Sequence, residues 1–448
     1  MDLEQQITQQ RIELELIALK ALKIASITAN ACEVTITKST GLSVSSLMCA
    51  VENIEFMNDS ILKVTVYKGK RKGSASTSEL SMKAIQMTIA AALDIAQYTS
   101  EDLYSGLASK ELMVQNIPEL DLFCPDILDP NSASKIAITA EKKALSYNDK
   151  IKQSNGANFD VCYGIKVYGN SYDLIASYLF SQYQMSCSII AQGENSEMEC
   201  DYGYSIARHK SDLLAPEIVG REAAFKVVNR LGAKKLITGT YPVMFSADIA
   251  SGLIAHLARA ISGESLHRKS SFLLGYLGKQ IFPKWFNISE DPHVLRGLGS
   301  KPFDNEGLYT KNCQIISNGI LMTYLLSSYS ARKMNMIETG HTAGIHNWFI
   351  QCINKKKKSQ MLTELDTGLL VTEVIGQGVN IVTGNYSRGA VGFWVKNGQV
   401  EHPVSEITIA SNLKDMFRNI VAIGNDVDTR SKIQTGSILV ESMKIAGN

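Results

Sequence analysis

The densest run of ionisable side chains lies between Gly252 and Lys269, where His256, Arg259, Glu264, His267, Arg268 and Lys269 share one short stretch. A helix-borne zinc hydrolase needs two imidazoles able to share one ion, and a carboxylate beside the first to take a proton from metal-bound water. Only the first imidazole is present. Leu257 stands where the carboxylate would be, and Ala260 and Ile261 follow, so neither spacing along the helix supplies a second ligand. Glu264 and His267 could meet on one helical turn, but Gly263 is expected to end the helix before them. With His293 they form a weaker alternative set.

Other candidates read more plainly. His341 and His346 sit in the glycine-rich stretch from Thr339 to Trp348 and are taken as polar loop residues, since their spacing fixes nothing without a third ligand. Gly297-Leu298-Gly299 and Gly376-Gln377-Gly378 complete no phosphate-binding loop, and Lys355 to Lys358 reads as a solvated basic loop. No G-x-S-x-G elbow occurs. The 8 cysteines are scattered singly, without a C-x-x-C pair. They are expected to be small buried hydrophobes in a reducing compartment.

The elements that must position these residues follow from periodicity. Leu3 to Ala29 carries Ile7, Leu14, Ile17, Ala21 and Ile24 near helical spacing. From Cys32 to Lys68 the period shifts toward alternation, and turn signals at Ser39-Thr40-Gly41 and Met57 to Ser60 predict three or four antiparallel strands. Thr77 or Ser78 is expected to cap a helix ending at Tyr98. A helix over Ser132 to Ser146, a strand carrying Val161, Tyr163, Ile165 and Val167, and further strands near Ser188 to Ile190 and Tyr202 to Tyr204 come next. Glu217 to Leu231 reads as a helix stopped by Gly232, and Lys235 to Phe245 as a strand with Pro242 near its edge. Asp248 to Ser262 is the helix that carries His256. Beyond it lie glycine turns and short β-like runs at 369–374, 378–383, 391–396, 406–410 and 437–440, with Asn397-Gly398 as a type I′ hairpin turn.

The whole chain sets limits on function. Its 448 residues carry 45 Lys plus Arg against 44 Asp plus Glu, a formal charge of +1, so no long-range field gathers nucleic acid or an anionic membrane. Neither is expected as a partner. The first residues lack the basic and apolar regions of a secretory signal, and no uncharged apolar stretch of about 18 residues follows. The expected location is cytoplasmic.

Several motifs resemble one family. Gly220-Arg221-Glu222-Ala223-Ala224, Gly239 with Tyr241-Pro242-Val243, Ser251-Gly252-Leu253, Arg268 to Leu273 and Asp291-Pro292-His293 are similar to the TldD/PmbA family. Asp304-Asn305-Glu306-Gly307, Tyr324 to Arg332, Gly384 to Trp394 and Pro403 to Ala410 resemble its PmbA (TldE) branch in particular. The resemblance covers most of the chain. It implies a role in a TldD/TldE metallopeptidase acting on unfolded or small peptides.

In that family the catalytic TldD branch carries H-E-x-x-x-H on the helix equivalent to 252–262, with a cysteine near the C-terminus as third ligand. Here His256 remains, Leu257 and Ile261 replace the glutamate and second histidine, and Thr435 lies in a stretch, 431–437, that holds no cysteine. The resemblance thus implies degenerate metal-site positions at His256, Leu257, Ile261 and Thr435, no catalytic residue and no metal in this chain, and zinc on a TldD-like partner. A homodimer is the expected state of the chain when alone. The rival readings are an independent hydrolase built on Glu264, His267 or His293, and a peptide-binding regulatory module. The fold class expected is α+β: a mixed α/β N-terminal portion, with a helix, antiparallel strands and a second helix over 1–110 and a central α/β segment over 120–227, followed by a β-rich, barrel-like domain over 233–448.

Overall fold

The near-helical spacing at the N-terminus forms α1 (Leu3–Ala25), which buries Ile7, Leu14, Ala18, Ala21 and Leu22 on one side. The computed structural model describes residues 3–194, 197–342, 344–352 and 354–447. The parts of the readings above that fall on Met1, Asp2, Asn195, Ser196, Ala343, Ile353 and Asn448 lie outside the described residues.

Next come two strands longer than expected, β1 (Ala31–Leu47) and β2 (Ala50–Lys68), which turn at Met48 and Cys49. The internal turn signals are overridden, because Thr40 faces Asn58 and Gly41 faces Met57 in one continuous antiparallel ladder. Glycine at 41 answers a different demand: a Cβ there would lie 2.7 Å from the Val161 carbonyl oxygen of the neighbouring strand. β3 (Arg71–Thr77) precedes α2 (Met82–Tyr98), which is capped by Ser81 rather than by Thr77 or Ser78; the Ser81 hydroxyl accepts from the Ala84 N–H.

Asp129 caps α3 (Pro130–Leu145), after which β4 (Ile151–Asn170), β5 (Leu174–Gln192) and β6 (Met198–Ala207) complete an all-antiparallel sheet ordered β3-β2-β1-β4-β5-β6. α4 (Pro216–Arg230) follows, with Gly232 at φ +76 just beyond it, as the sequence requires. Cys32, Val34, Ile36, Leu42 and Val44 of β1 alternate onto one face, and so do Phe159, Val161, Tyr163, Ile165 and Val167 of β4. α1 and α2 cover one end of that face, α3 and α4 the other. Tyr168, of opposite parity, packs on the other face against Val114 and Phe303.

The second half opens with β7 (Gly239–Phe245), α5 (Ala247–Ala260) and the short α6 (Gly263–His267). β8 (Asn287–Asp291), β9 (Cys313–Ser317), β10 (Ile320–Leu321), α7 (Ser328–Met334), β11 (Asn347–Gln351) and α8 (Lys358–Leu365) come next. β12 (Gly368–Ile375), β13 (Asn385–Lys396), β14 (Gln399–Asn412), α9 (Leu413–Arg418), β15 (Ile420–Ile423), β16 (Ile433–Gln434) and β17 (Ile438–Ala446) end the chain. The order β14-β13-β12-β7-β17 closes through a further β14–β17 pairing, with β15 attached to β17. The C-terminal region is therefore a five-stranded barrel, and the fold is α+β with a barrel-like C-terminal domain, as the sequence implied.

Asn397 and Gly398, at φ 52 and 72, join β13 to β14 in the expected tight turn. Pro242 is not at an edge: β7 lies between β12 and β17, and the missing N–H falls opposite the register shift between Val440 and Met443. Residues 378–383 form no strand beyond a bridge at Val379 and instead turn, with the Gly384 N–H donating to the Asn380 carbonyl. Beside the barrel, β10-β9-β8-β11-β16 make a smaller sheet, and one core joins Phe245 and Val440 of the barrel to Leu257 of α5 and Trp348 of β11.

Candidate functional site

α5 forms where periodicity placed it. Ala250, Leu253, Ile254, Leu257 and Ala260 make one buried stripe against the barrel core. The helix ends at Ala260, before Gly263, which opens α6 rather than closing α5. Glycine is needed there because a Cβ would lie 2.1 Å from the Ser330 hydroxyl oxygen. β16 packs against α5 and leads directly to Thr435, so the C-terminal stretch does reach the His256 helix.

His256 is half-buried on α5, edge-on to Tyr386 of β13 at 5.9 Å, and its Nδ1 is buried without a hydrogen-bond partner among the described residues. Burial, reinforced by the charges of Arg388 and Arg259, brings the imidazole down to about 4. It is a neutral donor at physiological pH. Its helix neighbours donate nothing: Leu257 and Ile261 are fully buried in the core. Thr435 is buried as well, its hydroxyl donating to the Gly436 carbonyl at 3.0 Å. A hydrolytic zinc ion requires three protein ligands and an open position. One imidazole beside two core aliphatics and a committed hydroxyl does not fit it.

The alternative set does not assemble. Glu264 is exposed and pairs with Arg268 at 3.2 Å, His267 lies edge-on to Tyr329, and the His293 Nε2 meets the Thr310 hydroxyl at 3.0 Å. None of the three shares a cluster of donor atoms with the others among the described residues. A cleft of about 640 Å³ opens beside α5, lined by Ala255, Arg259, Arg268, Leu325 and Lys432.

A different cluster does assemble, one that sequence reasoning passed over. Glu290 on β8 stands in register with Cys313 on β9 and with Trp348 on β11, so three side chains from adjacent strands meet on one side of the small sheet. The Trp348 indole and the His346 backbone N–H donate to Glu290 Oε1 at 2.8 and 2.7 Å. His341 Nε2 lies 2.5 Å from Glu290 Oε2, and the Cys313 thiol is directed at the same oxygen at 3.6 Å. The Thr339 hydroxyl sets the His341 ring through Nδ1 at 2.8 Å. Burial alone would raise the Glu290 carboxyl, but its two histidine neighbours overcome that and hold it well below the usual carboxylate range. Burial, and then the Glu290 charge, push the Cys313 thiol up to about 12.

His341 and His346 were thus not merely polar loop residues, and Cys313 not merely a filler. Of the cysteines, only Cys32 and Cys187 are fully buried, Cys200 is exposed, and all are unpaired. What could have flagged the cluster is the buried glutamate in the middle of an alternating strand, Ile288-Ser289-Glu290.

The barrel thus shares one core with a helix that carries a single imidazole, His256. Models of the PmbA/TldA metallopeptidase domain 1, central domain and C-terminal domain match residues 32–96, 125–231 and 238–447. The chain belongs to the PmbA/TldD metallopeptidase family, in its PmbA (TldE) branch. It is 51% identical over 428 residues to a metalloprotease PmbA homologue of Haemophilus influenzae, covering 96% of this chain and 95% of the relative. Metalloprotease PmbA of Escherichia coli is 50% identical over 442 residues, covering 99% and 98%. The crystal structure of TldE from Thermococcus kodakarensis shares the fold, with a TM-score of 0.83 at 20% identity over 96% of this chain and 100% of that one.

Proposed function

We propose that this PmbA/TldE-type chain is the non-hydrolytic subunit of a peptidase that degrades or processes unfolded or small peptides, and that a TldD-like partner holds the catalytic zinc. The observation that carries this reading is the α5 face itself. Leu257 and Ile261 are wholly within the core, so the helix cannot present a carboxylate and a second imidazole to an ion without being rebuilt. The degenerate metal-site positions are then His256, Leu257, Ile261 and Thr435, and this chain supplies no catalytic residue.

Its own contribution is to wall and position. The cleft along α5 sets Arg259, Arg268 and Lys432 beside apolar Ala255, Ile345 and Leu325, a lining suited to a peptide backbone and its terminal carboxylate. A peptide gripped by main-chain pairing is held without reading its side chains, which suits a subunit that handles many sequences. The exposed tip of the β1–β2 hairpin, with Leu47, Met48, Val51, Ile54 and Phe56, offers apolar area for a partner subunit, and a homodimer occupies it when the chain is alone. We place the complex in the cytoplasm, with eight unpaired cysteines in support. Among the described residues no helix is long and apolar enough to cross a membrane.

The test is to purify the chain alone and together with a TldD-like subunit, then assay cleavage of an unfolded peptide. Cleavage only in the mixture, undiminished when this chain carries His256→Ala, supports the reading. Cleavage by the lone chain that disappears in His256→Ala overturns it.

A further inference from the structure

We propose that Glu290, Cys313 and His341, with His346 beside them, form a closed binding site for a divalent transition-metal ion of the zinc class, separate from the α5 helix. The site stands or falls independently of the subunit role argued above. One donor atom from each of the first three residues lies within 4.8 Å of the other two, from a carboxylate, a thiol and an imidazole. That mixture suits a borderline-soft cation and not magnesium or calcium, which take oxygen alone.

The spacing fits as well. A tetrahedral ion with bonds of about 2.0–2.3 Å holds its ligand atoms roughly 3.3–3.7 Å apart. Glu290 Oε2 lies 3.6 Å from Cys313 Sγ and 3.4 Å from His346 Nδ1. His341 Nε2, at 2.5 Å from the same oxygen, shares a proton with it and must draw back by roughly 1 Å once an ion replaces that proton.

A second observation points to a ligand. His346 is only 1% exposed, yet among the described residues neither ring nitrogen makes a well-formed hydrogen bond, Nδ1 only facing Glu290 Oε2 at 3.4 Å. A neutral imidazole carries one lone pair and one N–H, and leaving such groups unmatched in the interior costs about 1–3 kcal/mol each. The His341–Glu290 proton satisfies its own pair and does nothing for His346. A cation between them takes up the Nδ1 lone pair.

The supporting parts are in place. Thr339 orients His341 through its far nitrogen, and Trp348 and the His346 backbone hold the second oxygen of Glu290. Such outer contacts fix ligand rings and carboxylates around metal ions. The cleft beside α5 is lined by His341 and gives an ion a route in from solvent. Loading releases the Cys313 thiol proton and the proton shared by Glu290 and His341 to water, so affinity rises with pH. With Glu290, His341 and His346 buried and Cys313 half-buried, the ion ties β8, β9 and the loop that carries the two histidines together.

The experiment uses the full chain, stripped with a chelator and titrated with cobalt(II). Expected are about one equivalent bound and a thiolate-to-cobalt charge-transfer band. Cys313→Ser, nearly isosteric, removes the band, His346→Gln weakens binding about 10–100-fold, and His256→Ala leaves both unchanged. Absence of stoichiometric binding to the wild-type chain overturns the proposal, as does a band that survives in Cys313→Ser or vanishes in His256→Ala. The wild-type titration decides the matter even if a variant fails to fold.

Discussion

α5 and the small sheet β9-β8-β11 lie in the same core, yet they treat potential ligands in opposite ways. On α5 a single imidazole lies edge-on to Tyr386, its Nδ1 unmatched among the described residues, with burial and then two arginine charges depressing its proton affinity. On the small sheet, residues 23 and 51 positions from Glu290 converge on one of its oxygens. A helix brings ligands together only if they recur along the sequence, so their presence or absence is visible there. A sheet brings them together by register, and no local pattern announces it.

The sharpest break in that comparison comes from Glu290→Ala. Removing the carboxylate strands the His341 ring and the Trp348 and His346 N–H donors, and should cost about 3–5 kcal/mol in denaturant unfolding. His256→Ala, deleting a half-buried ring whose Nδ1 lacks a partner among the described residues, should cost about 1 kcal/mol or less. Equal losses would erase the distinction between the two regions.

Leu257→Glu tests whether α5 can recover a site. The new carboxylate enters a fully buried position without a counter-charge, so a loss of roughly 3 kcal/mol or more is expected by thermal unfolding. Adding Ile261→His and Thr435→Cys should not restore peptide cleavage to the lone chain.

pH dependence sharpens the contrast at smaller scale. An unfolded histidine titrates near about 6.5, whereas folded His256 titrates at about 4. Between those values the unfolded chain takes up a proton that the folded chain refuses, so stability falls with falling pH across that window. The slope from this one group reaches at most about 1.4 kcal/mol per pH unit, and His256→Gln should remove it from the unfolding profile. Smallest of all, Glu264→Ala and His267→Ala should stay within about 0.5 kcal/mol and leave the complex's cleavage rate unchanged, because Glu264 is exposed and His267 only meets Tyr329 edge-on.

Much of the scaffold was legible because its causes are local. The α5 stripe, the Asn397-Gly398 turn and the Gly232 stop depend on residues within a turn or two of each other. The long β1–β2 ladder was not, since Ser39-Thr40-Gly41 and Met57 to Ser60 mimic turns that pairing with a neighbouring strand overrides. Residues 378–383 failed the other way: alternation alone predicts a strand, and the Asn380 carbonyl closes a turn instead. The apolar character of α5 at Leu257 and Ile261 could be read directly, while the Glu290 cluster could not, because strand register and the loop carrying His341 and His346 assemble it only after folding.

The most direct measurement is peptide cleavage by the purified chain alone, beside the same chain mixed with a TldD-like subunit. The lone chain should be inactive with zinc supplied, and the mixture active, with His256→Ala in this chain making no difference. Turnover by the lone chain that is abolished by His256→Ala would contradict the assignment of hydrolysis to the partner.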